Sequence, residues 1–389
     1  MLSFFESLGQ RLTASFAKPA KRHPGRSYPC RCGRPVFFHN CQCLACEAQL
    51  GYAPGTARVH ALEDAGKPGL WKLHDGPGTH HRCTNFGLAA GCNWLIPEED
   101  PEPLCRACRV NRTIPNLDDP GCGRENGELW RRIESAKRRL VASLLALGLP
   151  ARSREKEDPE HGLAFDFLRS PKDGKRVLTG HAGGIITMNV EEADDAVREK
   201  VRQNLREPYR TLLGHFRHEV GHYYWDRLIA GTPWHEPFRA VFGDERADYA
   251  AALKRNYEDG PVPDWPQRHV TSYASVHPWE DWAETWAHYL HIVDSLVTAM
   301  NFGLGGDDVD MSIEPFDKDA LYDREHPGAE RFLTMLNSWI ELIAVLNELN
   351  RSLGKPDPYP FVLSKPAVQK LHFIHLVVEP KRLKGGAKS

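Results

Sequence analysis

The feature that most constrains the fold is the placement of the cysteines. All ten lie between Cys30 and Cys122, and the rest of the 389-residue chain has none. The start of the chain lacks a basic segment followed by a long apolar core, so it is not typical of a secretory signal, and we expect a cytoplasmic location. In that reducing setting, clustered cysteines indicate metal ligands more often than disulfides. The segregation predicts a small, metal-stabilised domain at the front of the chain.

Eight of these thiols form two groups of four. Each group contains a C-x-x-C pair, and a tetrahedral structural zinc takes four such thiolates. The groups are Cys30, Cys32, Cys43 and Cys46, and Cys83, Cys92, Cys105 and Cys108. A segment this rich in Gly and Pro has little apolar core, so metal binding, worth on the order of 10 kcal/mol per site, would supply the missing folding free energy. We predict two structural zinc sites, although four thiolates also suit iron.

The ligand assignment leaves alternatives open. Cys30-x-Cys32 departs from the usual C-x-x-C spacing, and Cys41 is close enough in sequence to replace a neighbour. Cys122 stands alone and is expected to be a bystander. The histidines within sequence reach of the two sites are His39, His74, His80 and His81. Interleaved arginines permit nucleic-acid binding, but the net charge of −2 does not indicate it.

A second informative feature is His-Glu-x-x-His at residues 218–222, within a predicted helix. Two histidines four apart lie on one helix face, so both imidazoles can reach one metal ion, and Glu219 can act as a base. A second predicted helix, from 278 to about 300, carries carboxylates four apart at Glu280 and Glu284. One completes a His/His/Glu zinc set and the other supports it. We assign the ligand to Glu280 and the support to Glu284, and the reverse assignment stays open.

These residues predict hydrolysis of peptide bonds by a zinc-activated water. The metal, held by His218, His222 and Glu280, lowers the pKa of water towards ~7. Glu219 then takes its proton as general base and passes it to the leaving amine. A developing oxyanion also needs a donor beyond the zinc. Tyr273 is the candidate, with His277 and His288 behind it, and an ordinary buried tyrosine is an equally good reading.

The fold class predicted is α+β, mostly helical with a small sheet before the motif helix. Apolar spacing and turn signals predict helices at 129–147, 191–207, 210–229, 244–257, 278–300 and 330–353, and strands at 165–168 and 184–190. The predicted domains are a basic flexible arm (1–27), a double zinc-ribbon domain (28–118), a linker (119–128) and a metallopeptidase domain (129–389). No apolar run approaches a membrane span of roughly 18–20 residues, so no membrane partner is expected.

The strand at 184–190 has a further interpretation. If it lies at the edge of the sheet above the motif helix, it could pair with the backbone of an extended substrate. An internal strand is the alternative, and the sequence alone does not separate the two.

Several stretches of the chain resemble one family. They are residues 37–46, 92–95, 104–115, 209–219, 277–291 and 357–363. The second half resembles gluzincin metallopeptidases, which have a zincin-like fold, and the whole chain is similar to a bacterial family of zinc-binding metallopeptidases with an N-terminal zinc ribbon. The resemblance implies zinc ligands at His218, His222 and Glu280, a base at Glu219, and ribbon ligands at Cys43, Cys46, Cys105 and Cys108. It also implies a peptide or protein substrate, without identifying it.

Two other functions are kept as alternatives. A DNA-associated protease of the SprT type also joins His-Glu-x-x-His to a zinc ribbon, but its ribbon follows the catalytic domain and its third ligand is a histidine. A zinc-dependent binding or scaffold module with an inactive site is the second alternative. Glu219 argues against it, because a purely structural zinc site does not need a base at that position.

Overall fold

The structure is a computed structural model that describes residues 27–171, 174–204, 207–304 and 313–385, with side chains described through residue 379. The predicted basic arm therefore lies outside the described residues, except for Ser27. Within them the chain forms a cysteine-rich front part and a larger part of mixed helix and sheet.

The front part is built from short antiparallel strands. They are β1 (Ser27–Pro29), β2 (Pro35–Phe37), β3 (Leu50–Ala53), β4 (Arg58–Asp64), β5 (Leu70–Leu73), β6 (Thr79–Arg82) and β7 (Leu95–Pro97). β1 and β2 form a hairpin, and β3 to β7 form a sheet in chain order. Its core centres on Tyr52, whose ring centroid lies 4.7 Å from that of Phe38 and 4.8 Å from that of Trp94. A core this small agrees with the expectation that metal stabilises this part.

A strand from the front part joins the sheet of the larger part. β8 (Asn111–Thr113) follows the second cysteine group and pairs in parallel with β9 (Ala164–Leu168). With β10 (Gly180–Ala182) and β11 (Ile185–Asn189) they form a sheet in the order β10-β11-β9-β8. β11 runs parallel to β9, whereas β10 is antiparallel to β11. The strand predicted at 184–190 is therefore internal, and the edge nearest to it is β10.

Helices make up most of the larger part. They are α1 (Gly123–Ala146), α2 (Asp195–Asn204), α3 (Leu212–Leu228), α4 (His235–Phe242), α5 (Tyr249–Asp259), α6 (Trp265–Arg268), α7 (Pro278–Asn301), α8 (Ala329–Ser352) and α9 (Lys365–Gly385). The stretch predicted as helix from 191 begins with a 3-10 turn, Val190–Ala193, capped by the Asn189 side chain. α4, α6 and α9 were not predicted from the sequence.

α1 begins inside the predicted linker. The Asp119 carboxylate accepts hydrogen bonds from the N–H groups of Gly121 and Cys122 at 2.8 and 3.0 Å, so turn-forming residues prepare the helix start. A Cβ at Gly123 would lie 2.3 Å from the carbonyl oxygen of Leu117, so a side chain cannot be placed there. A capping turn and a linker have the same polar, Gly-rich composition, and composition alone therefore placed the helix start too late.

The core of the larger part surrounds α3. Phe216 on its inner face lies with its ring centroid 5.5 Å from that of Phe165 and 6.3 Å from that of Phe167, both on β9. On the next turns Tyr224 stacks against Trp286 of α7 at 4.9 Å. The motif helix is thus packed between the sheet and α7.

α8 is apolar over most of its length. Among the described helices, α8 is long and apolar enough to cross a membrane. Core helices of soluble proteins meet the same criteria of length and composition. Its first half supplies Phe332, Leu336 and Trp339 to the core, whereas Leu349 is 55% exposed. The expectation that no membrane is involved stays a prediction.

Candidate active site

The motif histidines lie one turn apart on α3. The helix begins with Thr211, whose hydroxyl accepts a hydrogen bond from the Gly214 N–H at 3.0 Å and satisfies one free donor of the first turn. The Nε2 atoms of His218 and His222 lie 3.2 Å from each other. Helical spacing thus brings both imidazoles to one point.

A close crossing of α3 and α7 brings a carboxylate to the same point. At Gly221 an added Cβ would lie 2.9 Å from the Cα of Ala283, so the two helices touch through their backbones. The indole N–H of Trp282 donates a hydrogen bond to the Gly221 carbonyl at 2.8 Å and fixes the crossing. Glu280, at the start of α7, therefore faces the two histidines.

The three side chains have the spacing that one zinc ion requires. Oε2 of Glu280 lies 3.1 Å from Nε2 of His218 and 3.5 Å from Nε2 of His222. Atoms bound tetrahedrally to one zinc at 2.0–2.1 Å would be about 3.3 Å apart. Oε2 of Glu280 is also buried without a hydrogen-bond donor among the described residues, which is costly unless a cation satisfies it. The residues fit the metal that the sequence predicts.

Hydrogen bonds from behind orient these ligand candidates. Nδ1 of His218 donates to Oε1 of Glu284 at 2.6 Å, and the Thr271 hydroxyl donates to Oε2 of Glu284 at 2.7 Å. With a proton on Nδ1, the neutral ring of His218 can offer the Nε2 lone pair to a metal. The Tyr249 hydroxyl donates to Oε1 of Glu280 at 2.7 Å. The structure thus places Glu280 against the histidines and Glu284 behind His218.

The charges of these groups depend on one another. Burial alone would raise the pKa of Glu280, but the neighbouring His218 and His222 hold it well below its ordinary value. Burial would lower the pKa of His218, but Glu280 and Glu284 raise it well above its ordinary value. A metal ion must displace that proton, so metal binding at this site releases a proton.

Glu219 is buried beside these residues. Its Oε1 lies 3.3 Å from Nε2 of His215, one turn earlier on α3. Burial raises the pKa of Glu219, but the hydrogen bond from His215 and the charges of nearby histidines bring it below the ordinary value. Glu219 is therefore ionised at neutral pH, the state that a proton acceptor needs.

Tyr273 lies at the site. Its ring centroid is 6.0 Å from that of His218. Burial and, to a smaller extent, the negative charge of Glu280 raise the pKa of Tyr273 well above its ordinary value. The hydroxyl therefore keeps its proton. Its role as oxyanion donor stays a prediction. Tyr249, which contacts Glu280, was not singled out from the sequence.

The two histidines considered behind Tyr273 are engaged in other contacts. His277 caps α7, with Nδ1 accepting from the Trp279 N–H at 3.1 Å and Nε2 lying 3.0 Å from the Ala247 carbonyl. His288 is hydrogen-bonded to the Tyr359 hydroxyl. Both side chains are buried.

β10 and the start of α7 form aromatic walls beside the histidines. The ring of His181, on β10, is stacked on that of His222 with centroids 6.3 Å apart. The ring of Trp279 lies 4.0 Å from that of His222. β10 has no strand on its outer side among the described residues. A strand of three residues is too short to show a periodic signal, and His181 was therefore missed.

The eight predicted ribbon thiols converge in the two groups expected. The Sγ atoms of Cys30 and Cys46 are 3.6 Å apart, those of Cys32 and Cys43 are 3.8 Å apart, and those of Cys92 and Cys105 are 3.6 Å apart. Four sulfurs bound tetrahedrally at ~2.3 Å to one zinc would be about 3.8 Å apart. The cysteine groups fit zinc ribbons.

The alternative ribbon ligands contact other groups. Cys41 contacts the carbonyl of His39, and Cys122 accepts from the Asn126 amide. The ring of His39 contacts Ser135, His74 contacts Glu63, and His81 contacts backbone carbonyls. None of the six alternatives, which include the buried His80, belongs to a metal-binding group within the part of the chain that the structure describes.

Comparison with known proteins agrees with this geometry. Residues 126–377 match the family described as "Putative zinc-binding metallo-peptidase". The chain belongs to this family. Residues 27–119 match a zinc-ribbon domain, in the same N-terminal position that the cysteines predict. The family name and the cysteine groups together support zinc binding.

Relatives of this metallopeptidase family member occur in mycobacteria. An uncharacterised protein of Mycobacterium bovis and two of Mycobacterium tuberculosis are each 42% identical to the chain over 356 residues, which cover 91% of this chain and 95% of theirs. No solved structure matches the chain. Because these relatives are uncharacterised, they indicate no activity for this chain.

Proposed function

We propose that the protein is a zinc-dependent metallopeptidase that hydrolyses peptide bonds. The observation that carries the proposal is the convergence of His218, His222 and Glu280 beside the ionised Glu219. A buried carboxylate that binds no metal costs free energy, and a structural zinc site does not require it. Its presence next to the ligand set favours a catalytic site over a scaffold.

His218, His222 and Glu280 would hold the metal and leave a fourth position open. When bound, zinc supplies Lewis acidity that activates water and polarises a carbonyl group. Glu284 and Thr271 keep the ring of His218 in the orientation that ligation needs.

Glu219 would carry out the proton transfers. As general base it accepts a proton from the attacking water, and as general acid it returns that proton to the nitrogen of the breaking C–N bond. The Tyr273 hydroxyl would supply a hydrogen bond to the developing oxyanion.

We propose that the substrate is an extended peptide or protein segment lying along β10. No strand of the described part of the chain covers the outer edge of β10, which offers backbone N–H and C=O groups for pairing. His181 and Trp279 would flank the position where the substrate chain passes. The antiparallel edge strand β10 lies beside α3, and α7, which carries Glu280, crosses α3. This arrangement also supports a zincin-like fold.

We further propose one structural zinc in each cysteine group, about three zinc ions per chain in total. Elemental analysis of wild type, His222→Ala and Cys105→Ala tests this, and each variant should lose one ion. Two ions in the wild type, with His222→Ala unchanged, would argue for a binding module instead.

Peptidase activity is tested by incubating the zinc-loaded protein with a peptide library and identifying the products by mass spectrometry. Glu219→Gln should abolish cleavage while keeping the metal. Glu245→Gln is the matched control, since Glu245 contacts Arg239 and His235 away from the site. Cleavage that survives in Glu219→Gln would reject the assigned mechanism.

A further inference from the structure

The base Glu219 is held by a chain of polar contacts that no part of the proposed mechanism uses. His215 precedes Glu219 by one helical turn, and its Nε2 lies 3.3 Å from Oε1 of Glu219. Its other nitrogen, Nδ1, lies 2.8 Å from Oε2 of Glu192. The imidazole therefore bridges two carboxylates, whose side chains are only 6% and 7% exposed.

The Glu192 carboxylate is fixed by two further groups. Its Oε1 accepts from the Thr179 hydroxyl at 2.7 Å, and its Oε2 accepts from the Arg210 guanidinium at 3.1 Å. The Thr179 hydroxyl also accepts from the N–H of Asn189, the last residue of β11. Thr179 directly precedes β10, so the contacts run from the edge of the sheet to the base on α3.

The chemistry of the imidazole defines its state. Both ring nitrogens face carboxylate oxygens, which only accept, so both must donate, and only the protonated ring carries two N–H groups. Burial would lower the pKa of His215, but the charge of Glu192 and the hydrogen bonds to Glu192 and Glu219 raise it to about 9. His215 and Arg210 together balance the charges of Glu192 and Glu219.

We propose that His215 is a positioning residue that orients the Glu219 carboxylate, with Glu192 as its anchor. The proposal rests on the function proposed for Glu219. Without His215 the carboxylate keeps its place on the helix but loses the contact that selects one rotamer. The Glu219 carboxylate would then lie less often within hydrogen-bond distance of the water proton that it must accept.

Two substitutions by amides separate the two contacts of the ring. His215→Asn ends near the position of Nδ1 and can keep the bond to Glu192 but not the contact to Glu219. His215→Gln reaches the position of Nε2 and can restore the contact to Glu219. The two differ by one methylene group, so they are matched in polarity. Glu245→Gln, which changes a carboxylate that contacts Arg239 and His235 instead, is a further control.

The probe is acetohydroxamate, which chelates a metal through two oxygens and gives a proton to an adjacent carboxylate. Its affinity is measured by calorimetry on the zinc-loaded full chain, with zinc content and the thermal midpoint measured in parallel. His215→Asn should weaken binding at least about tenfold, similar to Glu219→Gln, and combining the two should add little because they act on one contact. His215→Gln and Glu245→Gln should stay within about threefold of the wild type.

Wild-type affinity in His215→Asn, or equal loss in the Asn and Gln variants, would overturn the positioning role. If His215→Asn does not fold, Glu192→Gln, which weakens the anchor and retains the imidazole, should reduce the affinity several-fold, and an unchanged affinity would overturn the proposal. A wild type that binds the probe but cleaves no peptide would reject the proposed function alone. Peptide cleavage with a probe affinity that is insensitive to His215→Asn would reject the positioning role alone.

Discussion

Nδ1 of His218 lies 2.6 Å from Oε1 of Glu284, while Nε2 of the same ring lies 3.1 Å from Oε2 of Glu280. The two carboxylates are one turn apart on α7, so a single helix face holds both sides of one imidazole. A rotation of α7 would therefore disturb the proposed ligand and its support together. This shared dependence makes the site sensitive to residues that never contact a metal.

Glu284→Gln should weaken zinc binding at the histidine site by about 10–100-fold, because a neutral amide accepts the Nδ1–H hydrogen bond more weakly than a carboxylate and orients the ring less firmly. Competition with a chelator measures the affinity. Glu280→Gln should cost more, since it removes the proposed ligand. Retained zinc in Glu280→Gln together with complete loss in Glu284→Gln would show that the two roles are reversed.

Gly221→Ala should destabilise the fold by about 1–3 kcal/mol, because the added methyl group would overlap the backbone of Ala283 at the α3–α7 crossing. The displaced helices should also weaken zinc binding. Urea unfolding measures the first effect and chelator competition the second. Gly55→Ala is the control, since a Cβ added at Gly55 would have no neighbouring atom within 4 Å. Equal effects at both glycines would contradict the close crossing.

Lys137→Met should destabilise the folded chain by about 3–5 kcal/mol, because it leaves Glu134 buried without its closest cation. The Nζ atom of Lys137 lies 2.6 Å from Oε1 of Glu134, and both side chains are fully buried. Lys67→Met, which removes an exposed pair with Glu98, should change the unfolding free energy by about 1 kcal/mol or less. Denaturant unfolding of the zinc-loaded variants compares the two. A similar loss of unfolding free energy in Lys137→Met and Lys67→Met would show that burial does not increase the cost of removing the cation.

Stability should fall as the pH decreases from about 6.5 to about 4, in part because of His288. Burial lowers the pKa of His288 to about 4, partly opposed by the charge of Glu284. The unfolded chain, with an ordinary pKa near 6.5, takes up a proton in this range that the folded chain does not. The unfolding free energy should therefore lose about 1.4 kcal/mol per pH unit from this residue, and none above about pH 7.

His288→Asn should flatten that slope, whatever its effect on stability at neutral pH. His161→Asn is the control, because the His161 side chain is 51% exposed. Thermal or urea unfolding across the pH range measures both slopes. An unchanged slope in His288→Asn would mean that other groups carry the acid sensitivity.

The parts of the site that the sequence predicted are those fixed by helical spacing. His218 and His222 are four apart, as are Glu280 and Glu284, and a helix turns each pair onto one face. The thiol groups were predicted for a similar reason, since metal ligation demands a fixed ligand number. The structure brings each of these sets together.

Other parts depend on contacts between distant segments that leave no local pattern. Tyr249 reaches Glu280 across 31 residues, and His215 reaches Glu192 across 23. The pairing of β8 with β9 likewise joins segments that composition assigned to separate domains. Only tertiary packing specifies these contacts, and each residue alone resembles an ordinary polar position.

β8 begins three residues after Cys108, yet it is paired with β9 in the sheet that borders the histidine site. A chain shortened to the segment after residue 119 would expose the edge of β9, where Phe165 and Phe167 are fully buried, and would be prone to aggregate. In a ribosome-bound chain the cysteine groups emerge first, and they fix the strand on which β9 later pairs. If these thiols bind zinc as proposed, its supply would influence assembly of the sheet before His218 and His222 have been synthesised.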